Sequence, residues 1–364
     1  MARILGRTSA SSASKPLLAT WTLREGKLIA PVALAYEIFD LSTPEKENDP
    51  LSVVARTDVD LTDDKVSTGH YAATWTVPSN YVALGRHEIR WYATLVTDGP
   101  ELTWSTYFDV VGSPSGLPVG DVYAGVSDVR DEGVGSSVTD RRIIEKILEA
   151  SQMLDTWTGR HFAPESKTLT LNGTRSTTLT LNEPVIAVEK VVLFDGFSDI
   201  EPPAYVVYNR HLQGLRNPDD RDTPKLEFRG GWWETRYNAG SYRYPNILSK
   251  PQWGGREPQS VKLTGVFGYT DPDGSPVGRT PQLATNIVVR MVLRELPKQN
   301  TMAAIMKRRE AMITSMRTRE QTIQWKEPSD LSGASYTNTT RFTGDPSIDI
   351  MIEQLCIPIS GAVV

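Results

Sequence analysis

Two patterns of apolar residues divide the chain. Between residues 17 and 111, short runs alternate apolar and polar positions, as in YAATWTV, where Tyr71, Ala73, Trp75 and Val77 fall on one side. Alternation of this kind has the period of a β-strand. After residue 121, the run TDRRIIEKILEASQMLDTWTGRHF spaces its apolar residues three and four apart, which is the period of an amphipathic helix. The pattern predicts a β-rich N-terminal part followed by a mixed part.

The first part predicts one small domain. Six or seven such runs, separated by turn clusters, lie within residues 17–112, which is typical of an antiparallel β-sandwich. The single cysteine, Cys356, leaves no disulfide to join two sheets, so the unit is similar to an immunoglobulin-like sandwich without that bond. Residues 1–16 lack apolar periodicity and predict a flexible N-terminal arm, and the Gly, Pro and Ser residues of 113–121 predict a linker.

The second part predicts a helical domain over residues 122–326 with a β-rich insertion at about 166–270. Thr139 is a candidate N-cap and Gly159 a candidate stop for its first helix. The predicted helices span about 139–158, 281–296 and 301–325. Residues 327–364 form a tail with a short helix that starts near Asp345 and Pro346. The predicted fold class is multidomain α+β.

Composition and charge narrow the function. The net charge of −5 disfavours a general affinity for polyanions, so nucleic-acid contact would need a local basic surface. Nine Lys or Arg residues and only three Glu residues lie between Arg290 and Lys326, which gives this stretch a charge of +6. A solvated helix face explains such a stretch more often than DNA contact does. No window has the length and apolarity of a membrane span or of a signal peptide.

The sequence contains few of the residue patterns that catalytic or metal sites require. Its four histidines, His70, His87, His161 and His211, lack the spacing of metal ligands, and there is no phosphate-binding loop, dinucleotide fingerprint or nucleophile elbow. The run DPDGSP at 271–276 begins like a calcium loop but lacks the acidic residue that would close it, which favours a plain turn. We therefore predict a protein that is not an enzyme, with no catalytic, cofactor or metal residues. Two distant carboxylates could still serve a hydrolase, which is the third and weakest alternative.

Five segments, in this order, resemble the head-tail adaptor (connector) proteins of tailed bacteriophages and gene transfer agents. They are YAGVSDVRDEG (123–133), DRRIIEKILEASQMLDTWTGRHFAP (140–164), TLTLNEPVIAVEKVVLFDG (178–196), VKLTGVFGYTDPDGSPVGRTPQLATNIVVRMVLRE (261–295) and TGDPSIDIMIEQL (343–355). The resemblance covers about two-thirds of the chain. The N-terminal sandwich and an insertion near residues 196–258 depart from the minimal helical adaptor.

The resemblance implies a structural virion protein, made in the host cytoplasm and located in the neck between capsid and tail. Such proteins form a ring, usually of twelve copies, that docks on the portal protein after DNA packaging and receives a tail-side stopper or tail protein. DNA passes through the channel of the ring. Residues 17–111 would then look outward and decorate the ring or touch the capsid or a fibre.

The resemblance also assigns candidate contact residues. The C-terminal helix would anchor in the portal through Asp345, Ile348, Asp349, Met351, Ile352 and Leu355. Packing of the same helix on its own domain is an equally good reading of the sequence. A basic face of Arg290, Arg294, Lys307, Arg308, Arg309, Arg317 and Arg319 would line either the DNA channel or a neighbouring subunit.

One alternative comes from a different functional class. A carbohydrate-binding or surface-adhesion module would use the sandwich together with exposed aromatic residues. The candidates are Trp232, Trp233, Tyr237, Tyr242, Tyr244 and Trp253.

Overall fold

The computed structural model shows a mixed α+β protein in which strands predominate. It describes residues 4–112, 122–174, 176–194, 199–200, 204–213, 219–228, 253, 258–296, 314–317, 322–325 and 342–356. The α-helices are α1 (Pro44–Asn48), α2 (Val126–Asp131), α3 (Asp140–Thr158), α4 (Gln282–Glu295) and α5 (Pro346–Leu355), with a 3-10 helix at Arg210–Gln213. Among the described residues, no helix is both long and apolar enough to cross a membrane.

The strands are named in chain order. They are β1 (Ile4–Gly6), β2 (Ala10–Ser11), β3 (Ala19–Trp21), β4 (Leu23–Arg24), β5 (Lys27–Leu28), β6 (Ala33–Asp40), β7 (Leu51–Asp58), β8 (Lys65–Ser67), β9 (His70–Ala72), β10 (Trp75–Thr76), β11 (Gly85–Thr94), β12 (Glu101–Val111), β13 (Glu165–Leu171), β14 (Thr178–Thr180), β15 (Val185–Phe194), β16 (Asp199–Ile200), β17 (Tyr205–Val207), β18 (Lys225–Phe228), β19 (Val261–Phe267), β20 (Thr314–Arg317) and β21 (Thr322–Trp325).

The N-terminal part is built on a five-stranded sheet in the order β1-β12-β11-β6-β7. Alternation along β11 buries Ile89, Trp91 and Ala93 on one face, as the sequence pattern predicts. This face packs on Leu18 and Tyr71 next to the small sheet β3-β9-β8. The result is a single apolar core between the large sheet and the smaller strands.

The predicted flexible arm at residues 1–16 is wrong for the part that the structure describes. β1 pairs in parallel with the end of β12, and Leu5 is buried in the N-terminal core. β2 pairs with β10. Strands of two or three residues without local periodicity carry no strand signal by themselves, and here they form by pairing with strands that are distant in sequence. Residues 113–121, predicted as a linker, lie outside the described residues.

The N-terminal segment also enters the second sheet, whose main path is β13-β19-β15-β5-β4. The hairpin β4–β5 leaves the region predicted as the sandwich and pairs with β15 through Lys27 and Val188. Gly26, at φ +76°, permits the turn, and a Cβ there would lie 2.8 Å from Cβ of Val207. Residues 17–112 are therefore not a self-contained unit, because their β4–β5 hairpin belongs to the sheet of the second part.

The helices α2 to α5 share one core, with α3 in contact with α2, α4 and α5. The helices predicted at about 139–158 and 281–296 are confirmed as α3 and α4, and Gly159 ends α3 in the left-handed conformation. The helix predicted over 301–325 is wrong where the structure describes it, since β20 and β21 form an antiparallel hairpin there. The β-branched and aromatic residues of 322–325 favour strand over helix.

The described part of the predicted insertion is indeed β-rich. β13, β15 and β19 form the body of the second sheet, β16 pairs with β15, and β14-β18-β17 form a three-stranded sheet beside it. Their common core contains Trp253, which is fully buried and stacks on Phe228 with ring centroids 4.2 Å apart.

Candidate functional site

The C-terminal helix α5 begins at the predicted place. Asp345 is its N-cap, and one carboxylate oxygen accepts hydrogen bonds from the backbone N–H of Ser347 at 3.0 Å and from its hydroxyl at 2.7 Å. Desolvation alone would raise the pKa of Asp345, but these hydrogen bonds lower it below its ordinary value. The helix contacts both α3 and α4.

One face of α5 is used inside the subunit. Ile348, Ile352 and Leu355 are buried in the helical core, at 2%, 0% and 4% exposure, and Met351 packs at its margin. The prediction that these side chains are available to anchor in the portal protein is therefore corrected. An amphipathic face must be covered, and here the protein's own helices cover it.

Asp349 has a structural role in the same helix. Its buried carboxylate accepts hydrogen bonds from Thr343, from the backbone N–H at 2.8 Å and from the hydroxyl at 2.6 Å. The carbonyl of Thr343 in turn accepts from the Arg294 guanidinium at 3.1 Å, and the ring of Phe342 lies 5.7 Å from that of Trp157. These contacts fasten the segment before α5 to α3 and α4, so Asp349 is also removed from the predicted portal contact.

The predicted basic face is only partly described. Arg290 and Arg294 are exposed, one helical turn apart on α4. Arg317 lies in β20, of which the structure describes only the backbone, whereas Lys307, Arg308, Arg309 and Arg319 lie outside the described residues. The structure thus brings two of the seven predicted basic residues together.

A polar hub that sequence analysis missed lies at the centre of the helical part. Tyr123 is buried, its backbone N–H donates to the Ser151 hydroxyl of α3 at 3.2 Å, and its carbonyl accepts from the Thr285 hydroxyl of α4 at 2.8 Å. The Tyr123 hydroxyl accepts from the backbone N–H of Phe162 at 3.1 Å and donates to Asp155. One residue thereby connects the start of the domain to two helices and to the segment after α3.

His161 completes this hub. Its Nδ1 lies 3.0 Å from the Tyr123 hydroxyl and 3.3 Å from a carboxylate oxygen of Asp155. Because the hydroxyl donates its single proton to Asp155, Nδ1 must carry a proton for either contact. Asp155 and His161 are six residues apart, but Tyr123 precedes Asp155 by 32 residues, and the only signal was the polar residue pair that follows the stop of α3.

Next to the hub, a polar cleft of about 330 Å³ lies between the end of α3 and the second sheet. Its charged residues pair with one another and with their surroundings. Lys167 contacts Glu183 and Glu165, and Arg160 contacts Asp222 at 3.0 Å. Desolvation alone would lower the pKa of Lys167, but the hydrogen bonds to the two glutamates raise it. These ion pairs connect the segment after α3 and strand β13 to the neighbouring loops.

Beyond the cleft, two guanidinium groups flank one aromatic ring. Arg160 and Arg221 each lie 4.3 Å from the ring centroid of Tyr269. Arg221 also contacts Asp219 and Asp271. Desolvation works against the charge of Arg221, but these partners raise its pKa overall. The arrangement ties the 219–222 segment to the turn after β19.

His211 lies beside this charged cluster. It is 5% exposed, and neither ring nitrogen has a hydrogen-bond partner within the described structure. Burial, and then the positive charge of Arg221, lowers the pKa of His211 to about 4. The imidazole is therefore neutral at neutral pH and belongs to the packing of this region.

The segment that begins like a calcium loop forms a turn. One carboxylate oxygen of Asp273 accepts from the backbone N–H and the hydroxyl of Ser275, and Asp271 pairs with Arg279 in an isolated β-bridge. In the part of the chain that the structure describes, no group of three or more His, Cys, Asp or Glu side chains is arranged to hold a metal ion.

The aromatic set proposed for glycan binding is described at one residue. Trp253, the described member of the proposed glycan-binding aromatic set, is buried, and its indole N–H donates to the carbonyl of Thr177 at 2.8 Å. The other five aromatic residues of that set lie outside the described residues. Cys356 is half-buried beside the helical core, and burial raises the pKa of its thiol.

No protein-family model and no curated protein matches this chain.

Proposed function

We propose that the protein is a structural virion protein, a head-tail adaptor that assembles into a ring of twelve copies in the neck between capsid and tail. In this proposal, the ring docks on the portal protein after DNA packaging and receives a tail-side stopper or tail protein. DNA passes through its channel. The subunit is made in the host cytoplasm.

One observation carries the proposal. Of the five segments that resemble the adaptor family, four supply residues to a single helical core, through Tyr123 to Val129, α3, α4 and α5. The remaining segment contains β15, which pairs with β19 immediately before α4. The order of segments along the chain thus corresponds to one packed unit, as expected when a shared order reflects a shared domain.

The N-terminal part fits the proposal as an immunoglobulin-like addition that faces outward and meets the capsid or a fibre. It is held to the helical part at α2, where Asp109 of β12 accepts from the backbone N–H of Ser127 at 3.1 Å and from its hydroxyl at 2.7 Å. Arg86 of β11 contacts Asp128 at 2.7 Å. These bonds connect the N-terminal part to α2.

The buried face of α5 changes one detail of the proposal. Because Ile348, Ile352 and Leu355 are covered by the subunit's own helices, the proposal no longer uses these three side chains for the portal contact. Exposed Arg290 and Arg294 keep both of their proposed locations, the DNA channel and the contact with a neighbouring subunit.

The experiment mixes the purified protein with the portal protein encoded nearest to it and images the particles by cryo-electron microscopy, with each protein alone as control. We expect portal rings extended by one added layer, whose symmetry gives the copy number. Unmodified portal rings beside correctly folded free protein would overturn the adaptor proposal.

A further inference from the structure

The edge of the second sheet is open at β13. Within the described structure, β13 pairs only with β19, and its seven residues form one uninterrupted antiparallel register without a bulge. An exposed, regular edge strand presents unpaired backbone groups to a further strand. The other long edge strand, β7, pairs with β6 through two register shifts, and such irregularities protect an edge from further pairing.

The direction of the backbone groups of β13 follows from its neighbours. At the two ends of β19, the carbonyl of Ser260 and the N–H of Gly268 both bond towards the β15 side, at 2.8 and 3.0 Å. Because successive residues of a strand point their backbone groups to opposite sides, the even-numbered residues of β19 face β15. Even-numbered residues of β13 lie opposite them. Ser166, Thr168 and Thr170 therefore direct their N–H and C=O groups outward.

The side chains of this strand leave the outward groups accessible. Ser166, Thr168 and Thr170 are exposed. Lys167 is the one cation on the strand, and a lysine can guard an edge against pairing. Here Glu165 and Glu183 neutralise its charge, so it gives β13 little protection.

The chain also contains a strand pair without a sheet. β20 and β21 pair with each other over four residues each, and with no other strand in the described part of the chain. An isolated two-stranded hairpin is marginally stable in water, and a third strand stabilises it. Among the described residues, the hairpin has no further strand beside it, and β13 has no strand on its outer side.

We propose that the β20–β21 hairpin of one subunit adds to the β13 edge of a neighbouring copy. The hairpin and the edge are different surfaces, so the contact is head-to-tail, and a head-to-tail contact closes into a ring when its rotation permits. Main-chain hydrogen bonds supply the affinity in this type of strand addition. The inference deepens the proposed function, on which its ring geometry rests, and names the contact that joins subunits.

The test uses three full-length variants and one hairpin deletion. Thr168→Pro removes an outward N–H of β13 and leaves the ladder with β19 intact. Thr168→Val is its matched control, because it loses the hydroxyl bond to Thr264 but keeps the N–H. A third variant, Thr264→Val, removes the same hydroxyl bond from the β19 side. The deletion replaces residues 314–325 by two glycines, which is feasible because Thr314 and Trp325 are paired neighbours.

Native mass spectrometry measures the assembly of each protein at the highest soluble concentration, and circular dichroism checks its fold. We expect oligomers for the wild type, Thr168→Val and Thr264→Val, and monomers for Thr168→Pro and the deletion. A mixture of the last two should give a 1:1 dimer that grows no further, since each supplies the surface that the other lacks. This complementation would fail for a variant that is merely unfolded.

Three outcomes would overturn the inference: a wild type that stays monomeric, a Thr168→Pro variant that assembles like the wild type, or a mixture that remains monomeric.

Imaging with the portal protein separates failure of the strand contact from failure of the proposed adaptor function. If portal rings gain an added layer but Thr168→Pro assembles like the wild type, only the strand contact would be contradicted. If the wild type forms rings and the two variants complement each other as described, but the portal rings stay unmodified, only the adaptor role would be contradicted.

Discussion

The hydroxyl group of Tyr123 contacts Phe162, Asp155 and His161. It accepts from the backbone N–H of Phe162, a residue that is itself fully buried. Tyr123→Phe leaves this N–H without its acceptor, and a buried donor without a partner costs about 1–3 kcal/mol. We expect that loss in the free energy of unfolding, measured by urea titration.

Tyr208→Phe is the matched control for this measurement. The Tyr208 hydroxyl donates to Glu227 at 2.7 Å on a half-buried surface, where water can replace it. Its removal should cost about 1 kcal/mol or less. Equal losses for the two variants would show that the Tyr123 hydroxyl is not the centre of the hub.

Asp109 makes stability depend on pH. It is 1% exposed, and burial raises its pKa although Ser127 donates two hydrogen bonds to it. Its contribution to stability is complete below the unfolded pKa of about 4 and is lost as pH rises through the raised folded pKa. Asp109→Asn lacks this titration, so its stability relative to wild type should increase between pH 4 and 8. Urea unfolding across this range measures it, and a difference that does not vary with pH would contradict the expectation.

At the scale of elements, helix ends were predictable and strand partners were not. The start of α3 after Thr139 and its end at Gly159 depend on a few neighbouring residues, and so does the start of α5 at Asp345. The membership of β1 and of the β4–β5 hairpin depends on strands far away in sequence, which no local pattern encodes. Periodicity also identifies the apolar face of α5 but not the surface that covers it.

The buried face of α5 gives a prediction about this element. Ile352 is fully buried, whereas Ile350 on the opposite side is 45% exposed. Ile352→Ala should cost about 2–5 kcal/mol because it leaves a cavity among α3, α4 and α5. Ile350→Ala, with the same change in side chain, should cost no more than about 0.5 kcal/mol. Chemical denaturation compares them, and an Ile352→Ala variant as stable as Ile350→Ala would mean that α5 is detached in solution.

At the scale of the whole molecule, the functional site was the least predictable feature. The order of segments resembles that of a family, but the tertiary packing buries the side chains predicted for portal contact, Ile348 and Ile352. The hub of Tyr123, Asp155 and His161 joins the end of α3 to a residue that precedes it by 32 positions. Such sites arise from packing across the molecule, which the sequence of each part does not reveal.

The N-terminal part (residues 4–112) and the part from residue 122 onward, here called the two halves, should unfold together. Trp21, in the N-terminal half, packs in one cluster with Ile186 and Val266 of the second sheet, and its indole N–H donates to Ser166 at 3.3 Å. Because this cluster is shared, loss of either half exposes apolar surface of the other. We expect a single transition in differential scanning calorimetry of the wild type. Two separated wild-type transitions would show that the halves are independent.

Trp21→Ala tests the coupling directly. Removal of a buried tryptophan side chain costs about 3–5 kcal/mol, and here it also takes away the contact with Ser166. We expect the single transition to move to lower temperature and to divide in two, because a large apolar side chain of the shared cluster is lost, although the bonds at α2 and the pairing of β5 with β15 remain. Trp104→Ala removes a buried tryptophan within the N-terminal core alone. It should lower the single transition of the whole molecule without dividing it, so division by Trp21→Ala and not by Trp104→Ala identifies the shared cluster as the coupling element.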